Sequence, residues 1–322
     1  MRIIDLTNEE QLFSEIDQKY LPQGGVFLFG FFDGVHLGHR ELFKKALEIS
    51  RSQIPVIVWT FEHLTTKSSA GYLTSTEEKF RLFREYGANY IISEDFEELR
   101  AVDGRTFFFS RIMREFSPRS IICGFNFRFG KDAACDSDDL AVFASESGIP
   151  CYVVPPLVIS GMPVSSSSIR NAVSYGDLTT AEKLLGRPYT ITSNIVHGKH
   201  IGRLIGHPTI NQRLPDGKLP PKFGVYSCIV ELIEADEKNK TVFGVCNIGS
   251  RPTVNNDTSD ITLETYLFDF SGDLYGMTVR TSLIEFLREE CRFSSLEELN
   301  KQIDRDELAA RKSLRMYDNE HT

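Results

Sequence analysis

The pattern of apolar residues changes near Pro188, and this change constrains the fold of the 322-residue chain more than any other feature. Before it, short apolar runs such as "GVFLFGF", "IPVIVWTF" and "SIICGFNF" alternate with amphipathic helical patterns. Strands that are apolar on both faces and separated by helices are typical of a parallel sheet covered on both sides. The first half is therefore predicted to be an α/β domain with a parallel sheet.

After Pro188, β-branched and aromatic runs are separated by turn-forming stretches, as in "GVYSCIVELIEA", "KTVFGVCNIG" and "MTVRTSLIEFL". This spacing favours a small antiparallel β-barrel. Ser295 and Glu298 have the spacing of a capping box, which predicts a C-terminal helix after the barrel. The stretch "LLGRPY" joins a helix-ending glycine to a proline, so we expect domains at 1–186 and 187–322.

Charge and cysteine content narrow the possible partners and compartment. The chain has 36 Lys and Arg against 45 Asp and Glu, a net charge of −9, so we expect no broad surface for nucleic acid. No apolar run approaches a membrane span and the start does not resemble a signal peptide, so no membrane partner is expected. The six cysteines form no CxxC pair and are interpreted as buried, reduced thiols of a cytoplasmic protein.

The motif "GFFDGVHLGHR" follows the first apolar strand and opens a helix. Its three glycines let the backbone approach a ligand closely: Gly30, Gly34 and Gly38. His36 and His39 lie at the helix N-terminus, where unpaired N–H groups favour an anion. A phosphate contact is the favoured interpretation, with structural histidines second. A metal site is third, because Asp33 is near but no further ligand has suitable spacing.

Two later motifs follow other strands of the same predicted sheet. "VSSSSIR" places Ser166 and Ser167 at the opening of a helix and Arg170 one turn further on. Hydroxyl donors and a guanidinium fork suit a polyphosphate, although a plain helix cap is the alternative. "GFNFRFG" alternates phenylalanines, which favours the end of a strand, either in the core or at a site. Ligands of such sheets bind at the carboxyl ends of the strands, where all three motifs are expected.

The second half begins with a glycine-rich stretch, "VHGKHIGRLIGHPTINQRLP". Its glycines recur at intervals of four, a spacing that neither strand nor helix tolerates well, so we expect a loop that approaches a ligand closely. It is not a Walker A motif, because no GK(S/T) follows. The hydroxyl of Thr209 and the amide oxygen of Asn211 are hard donors suited to Mg²⁺, with turn formation as the alternative.

These motifs, taken in order, resemble the prokaryotic bifunctional riboflavin kinase/FMN adenylyltransferases, or FAD synthetases. The similarity covers nearly the whole chain and includes "GFFDGVHLGHR", "VSSSSIR", "LLGRPY", "GHPTIN", "NIGSRPT" and "LETYLFDFSGDLYG". It implies a Rossmann-like nucleotidyltransferase domain followed by a riboflavin kinase barrel. It also implies riboflavin, ATP and FMN as substrates, FAD as product, and Mg²⁺ as cofactor.

The resemblance implies roles for particular residues. In the first half it implies contacts to ATP phosphates by His36, His39, Ser166, Ser167 and Arg170, within a loop that contains Gly30, Asp33, Gly34 and Gly38. Polar contacts beside the flavin and adenine are implied for Asn126 and Arg128. In the second half it implies an ATP loop with Gly198, Gly202, Arg203 and Gly206, and Mg²⁺ ligands Thr209 and Asn211. Glu264 is the implied base for the ribityl hydroxyl; the alternative is that it is a solvated carboxylate on the surface. Arg288 lies in the segment that is implied to border the flavin.

Two loops of the first half depart from the family pattern, and they leave alternatives open. "TFEHLTTK" stands where the family usually has "TFxPHP", and "KDAACDSDD" replaces a stretch that usually contains glycine and arginine. One alternative is a riboflavin kinase whose first domain has degenerated. Another is a flavin-binding regulator without catalytic activity. The leading hypothesis is the bifunctional enzyme.

Overall fold

The computed structural model describes residues 2–5, 14–15, 24–61, 71–94, 101–198, 206–233, 240–251 and 260–321. The chain divides into two compact units. One comprises Met1–Ser68 and Thr76–Ser166, and the other comprises Ser69–Ser75 and Ser167–Thr322. The short segment joins the second unit because Tyr72 pairs with Lys218, with backbone hydrogen bonds of 2.7 Å to Gly217 and from Leu219.

The first unit alternates strands and helices, as predicted. Its strands are β1 (Arg2–Asp5), β2 (Ser14–Glu15), β3 (Val26–Phe29), β4 (Val56–Phe61), β5 (Tyr90–Glu94), β6 (Ser120–Gly124), β7 (Arg128–Phe129), β8 (Cys135–Asp136), β9 (Cys151–Val154), β10 (Val158–Ile159) and β11 (Met162–Pro163). Its helices are α1 (Leu37–Ser50), α2 (Thr76–Glu85), α3 (Gly104–Thr106), α4 (Arg114–Phe116) and α5 (Ser137–Glu146). A π-helix (Phe107–Met113) joins α3 to α4, and a 3₁₀ turn (Lys131–Ala133) precedes β8.

The main sheet has the strand order β2-β1-β5-β4-β3-β6-β9. The five strands from β5 to β9 in this order are parallel, whereas β1 runs antiparallel to β5. Successive residues of β3 enter two different cores, Val26 and Leu28 on one face and Phe27 and Phe29 on the other. The prediction of a parallel sheet covered on both faces is confirmed.

Two local predictions in this unit are wrong. "SIICGFNF" is not one strand: β6 ends at Gly124, where the N–H of Phe127 bonds back to its carbonyl at 3.0 Å. This turn leaves Phe125 50 % exposed and lets β7 form a separate hairpin with β8. In α1, the spacing of Leu42, Phe43, Ala46 and Leu47 predicts that all four share the buried face, yet Leu47 is 46 % exposed, because the buried stripe runs from Leu42 and Phe43 through Ala46 to Ser50 and Leu47 lies beside it.

The second unit contains a closed barrel and a C-terminal helix, as predicted, and it also includes two helices that precede the barrel. Its helices are α6 (Ser166–Tyr175), which starts at the junction, α7 (Leu178–Leu185) and α8 (Leu296–His321). The strands are β12 (Tyr189–Val196), β13 (Thr209–Arg213), β14 (Gly224–Leu232), β15 (Lys240–Arg251), β16 (Asp260–Leu267) and β17 (Thr278–Arg288), and they close in the order β12-β13-β16-β15-β14-β17. Helix α8 packs on the barrel through Ala310 and Leu314, and the N–H of Glu298 bonds the Ser295 hydroxyl at 3.2 Å, as the capping spacing predicts.

The glycine-rich stretch is not a loop throughout, because its last part forms β13. Sequence patterns concealed this strand, since its inward residue is the polar Gln212 rather than an apolar side chain. Gln212 is fully buried and bonds the hydroxyls of Ser193 and Thr281 at 3.1 and 2.6 Å. A polar network inside the barrel therefore replaces the usual apolar pattern.

The cysteines are all free thiols, and Cys123, Cys228 and Cys246 are buried as predicted. Cys291 is exposed, so the buried interpretation is wrong for that residue, which follows the last barrel strand. Among the described residues, no helix is both long and apolar enough to cross a bilayer.

Candidate nucleotide and kinase sites

The connection from β3 to α1 is a tight turn with an unusual backbone. Phe32, Gly34 and Val35 have φ values of 57°, 79° and 39°, in the left-handed region that L-residues seldom adopt. The N–H of Val35 bonds the carbonyl of Phe32 at 3.1 Å, and Asp33 between them is buried. The hydroxyl of Ser166 donates to the carbonyl of Asp33 at 2.9 Å. Strained, over-determined turns of this kind are concentrated at ligand sites.

The two histidines lie together at the start of α1. His36 is the N-cap residue, and its Nδ1 accepts a hydrogen bond from the N–H of His39 at 3.3 Å. The rings are stacked with centroids 3.6 Å apart, and Phe32 packs edge-on against His39 at 5.2 Å. A neutral imidazole that accepts at Nδ1 carries its proton on Nε2. His36 is therefore prepared to donate from Nε2 to an anion at this helix N-terminus.

Two glycines make this packing possible. A Cβ on Gly38 would lie 3.2 Å from the ring of His36, and a Cβ on Gly30 would lie 2.9 Å from the ring of Phe32. Side chains at either position would push the turn away from the helix. The described part of the chain contains no group of three or more His, Cys, Asp or Glu residues that could hold a metal ion.

The other predicted residues of the first half take different positions. Ser166 is the last residue of the first unit, whereas Ser167, exposed, and Arg170, half-buried, lie on α6 in the second. Asn126 is exposed in the turn after β6, and Arg128 lies 3.6 Å from the carboxylate of Asp136. Of these residues, Ser166 is the one with a described hydrogen bond to the histidine turn, through the carbonyl of Asp33.

The acidic stretch "KDAACDSDD" has a structural use. The carboxylate of Asp136 accepts from the N–H groups of Asp138 and Asp139 at 3.0 and 3.2 Å, and Asp139 accepts from the N–H of Asp136 at 3.0 Å. This reciprocal capping box begins α5. Two carboxylates of this stretch are therefore engaged at the positive end of a helix.

In the second unit, Thr209 and Asn211 alternate along β13 and therefore share one face. Asn211 is directly opposite Glu264 on β16, and Glu264 is directly opposite Asn247 on β15. Directly opposed residues of antiparallel strands project on the same side of a sheet. This face is the outside of the barrel, because the alternate residue Gln212 points inward. Sequence reasoning missed Asn247, which only the strand register brings beside Glu264.

Asn211 is held against the glycine-rich segment. It is 6 % exposed, and a Cβ on Gly198 would lie 2.6 Å from both its Cγ and its Oδ1. The absence of a side chain at Gly198 thus forms the cradle for this amide. The cradle and the hard oxygen donors of Thr209 and Asn211 fit Mg²⁺. Gly206 is described, with φ of 82°, whereas Gly202 and Arg203 lie outside the described residues.

A cavity of about 380 Å³ lies next to Thr209. Pro208 and Thr209 form part of one wall, and the segment from Phe270 to Tyr275 forms much of the other. The ring of His197 stacks on Tyr275 with centroids 4.1 Å apart, beside this opening. The arrangement provides a partly apolar space with an aromatic surface, which suits a flat heteroaromatic group.

Arg288 is engaged in an ion pair. Its guanidinium bonds the carboxylate of Asp306 on α8 at 2.6 to 3.1 Å, and Gln302 bonds the same carboxylate at 2.8 Å. The hydrogen bond to Asp306 raises the pKa of Arg288. Arg288 therefore connects the end of the barrel to the C-terminal helix. Its expected contact with flavin stays a prediction.

The first unit has the geometry of a nucleotide-binding α/β domain, and the second has a barrel site with a carboxylate and Mg²⁺-type donors. The family model of FAD synthetase matches residues 18–168, and that of riboflavin kinase matches residues 185–314. The bifunctional riboflavin kinase/FMN adenylyltransferase of Escherichia coli (strain K12) is 37 % identical over 90 % of this chain and 93 % of its own length. That of Bacillus subtilis (strain 168) is 30 % identical over 96 % of this chain and 97 % of its own length. The chain belongs to the bifunctional riboflavin kinase/FMN adenylyltransferase family.

A solved structure supports the same overall fold. The crystal structure of a protein described as a macrolide-efflux protein from Streptococcus pneumoniae has a TM-score of 0.80 and 29 % identity. It covers 92 % of this chain and 97 % of its own. The words "macrolide-efflux" describe that protein, and only its fold is compared with this chain.

Proposed function

We propose that residues 187–322 phosphorylate riboflavin to FMN and that residues 1–186 transfer an adenylyl group from ATP to FMN, giving FAD and pyrophosphate. The matches to both family models favour this bifunctional enzyme over the kinase-only and regulatory alternatives. The cross-strand row of Asn211 and Glu264 beside Thr209 is the single observation that carries the kinase assignment. The free thiols are consistent with a cytoplasmic enzyme.

In the kinase reaction, Glu264 accepts the proton of the terminal ribityl hydroxyl as that oxygen attacks the γ-phosphorus of ATP. ADP leaves, and FMN carries the new phosphate ester. Thr209 and Asn211 would hold Mg²⁺, and the bound ion would neutralise phosphate charge. A carboxylate on the same barrel face as these two donors is suited to orient a hydroxyl toward the phosphate.

The nucleotide substrate occupies the cavity beside Thr209. Its aromatic surface, His197 on Tyr275, stacks with the base, and Pro208 and Thr209 form part of the wall beside the phosphates. This placement is supported by position, because Thr209, one of the two proposed Mg²⁺ ligands, also lines the cavity. By resemblance, Gly202 and Arg203 contact ATP, and both lie outside the described residues.

In the adenylyl transfer, a phosphate oxygen of FMN attacks the α-phosphorus of ATP, and pyrophosphate leaves. The phosphate itself is the nucleophile, so the chain need only position the reactants and neutralise charge. His36 donates from Nε2, His39 lies beside it, and the N-terminus of α1 adds positive potential. Ser166, whose hydroxyl bonds the carbonyl of Asp33, contacts the polyphosphate, and Ser167 and Arg170 are assigned the same role by resemblance alone.

Reciprocal variants test the assignment of two separate sites. His39→Ala should lower conversion of FMN to FAD by about 10²-fold or more, the scale of losing one charge-stabilising donor, and spare phosphorylation of riboflavin. Glu264→Ala should do the reverse, since a positioned base contributes about 10²–10⁴-fold. Each half-reaction is measured separately, with riboflavin or FMN as the supplied flavin. Loss of both activities in either variant, or unaltered FAD synthesis in His39→Ala, would contradict the assignment.

A further inference from the structure

Lys79 is a lysine with no exposed surface, on helix α2 of the first unit. Its Nζ donates to the carbonyl of Phe61 at 2.7 Å and lies 3.4 Å from the hydroxyl oxygen of Thr60. Both acceptors belong to the last two residues of β4. A methionine could fill the same space without bringing an ammonium group out of water, which is costly. The hydrogen bonds at this strand end therefore help to offset the cost of burying the ammonium group.

These contacts extend to the neighbouring strand. The hydroxyl of Thr60 donates to the carbonyl of Phe31 at 3.2 Å, and the ammonium of Lys79 lies 5.1 Å from the centre of the Phe31 ring. Phe31 follows β3 by two residues and directly precedes the strained turn that begins at Phe32. One buried cation thus joins the carboxyl ends of two adjacent parallel strands where ligands bind in such sheets.

The same helix also supports the histidines from the other side. Phe83 on α2 packs edge-on against Phe32 at 5.4 Å, and Phe32 packs edge-on against His39 at 5.2 Å. Helix α2 therefore holds Phe31 through Lys79 and Phe32 through Phe83. The positions of two successive residues before the histidines depend on it.

We propose that Lys79 is a positioning residue of the adenylyltransferase site, which fixes the turn from Phe31 to His36 by joining it to the end of β4. The inference rests on the proposed role of His36 and His39. Lys79 acts through the histidines and holds them where phosphate charge develops. Its loss should lower kcat for FAD synthesis while leaving the KM for FMN nearly unchanged, because a misplaced group costs most in the transition state.

The test uses Lys79→Met in the full chain, which keeps the length of the side chain and removes its donors. Starting from FMN and ATP, kcat for FAD should fall by about 10-fold or more, as for a shift of well under 1 Å in a catalytic group. Phosphorylation of riboflavin by the same preparation reports the fraction of folded protein. Leu82→Val is the matched control, since it removes one buried methylene from the same helix and should leave kcat within about 2-fold once stability is matched.

A double-mutant cycle with His39→Ala separates positioning from general stability. If Lys79 acts through the histidines, Lys79→Met should cost less than about 3-fold when His39 is already alanine. Costs that multiply in full would overturn the inference, as would a kcat for Lys79→Met equal to that of Leu82→Val. If Lys79→Met does not fold, Thr60→Val removes only the bridging hydroxyl, and an unchanged kcat in that variant would overturn it equally. If His39→Ala itself has no effect, the proposed site fails rather than the role of Lys79.

Discussion

Gly198→Ala perturbs the kinase site by one methyl group at a defined place. Gly198 lies outside the left-handed φ region, so alanine brings no backbone strain. Its Cβ would lie 2.6 Å from Cγ and Oδ1 of Asn211, whereas ordinary contacts between such atoms begin at about 3.4 Å. The amide of Asn211 must therefore shift by about 1 Å to relieve this overlap. Because the amide is buried, it cannot relieve the overlap by rotating in place.

The expected loss follows from that displacement. A misplacement of about 1 Å costs a catalytic group on the order of 10²-fold, or about 2.7 kcal/mol of transition-state stabilisation. We expect phosphorylation of riboflavin to fall by this factor and to require more Mg²⁺ for half-maximal rate. Conversion of supplied FMN to FAD should not change. The overpacking itself should lower the free energy of unfolding by about 1–3 kcal/mol, which thermal unfolding reports.

The control is Asn211→Ala, alone and combined with Gly198→Ala. If the methyl group acts by displacing this amide, the double variant should be no slower than Asn211→Ala, since the displaced group is already absent. Two results would refute the reasoning: a normal kinase rate in Gly198→Ala, or independent costs that multiply in the double variant.

Two further predictions address the other contacts. Arg170→Lys should raise the KM for ATP in FAD synthesis by about 10-fold, because lysine cannot form the planar fork of arginine, and steady-state kinetics with FMN would show whether it does. A KM equal to that of the unaltered chain would remove Arg170 from the site. Asp306→Asn should lower the free energy of unfolding by about 1–3 kcal/mol, because Arg288 loses a charged and nearly buried partner. Arg288 itself is partly solvated, which limits the loss. Thermal unfolding measures this loss, and an unchanged melting temperature would mean that the ion pair does not stabilise the attachment of α8.

Sequence patterns predicted the regular parts of this fold well because burial imposes a period on them. The strands β3 and β4 are apolar on both faces, and the capping pair Ser295 and Glu298 begins the last helix. Patterns failed where polar groups satisfy one another inside the protein. Gln212 bonds hydroxyls within the barrel, so β13 has no apolar alternation and resembled a loop.

The sites were predicted unequally for a similar reason. His36 and His39 are close in sequence, so their pairing at a helix start could be inferred from a local motif. The row of Asn211, Glu264 and Asn247 depends on the register of three strands, of which β13 is separated from the other two by β14. Lys79 could not be recognised either, because nothing in "STEEKFRLF" distinguishes a buried lysine from a solvated one on a helix.

Product analysis of the full chain tests the central claim most directly. The chain is incubated with riboflavin, ATP and Mg²⁺, and flavins are resolved by chromatography over time. Two activities in one chain predict that FMN rises first and FAD follows, with one pyrophosphate released for each FAD. FMN that accumulates without FAD would contradict the adenylyltransferase assignment, and unchanged riboflavin would contradict both.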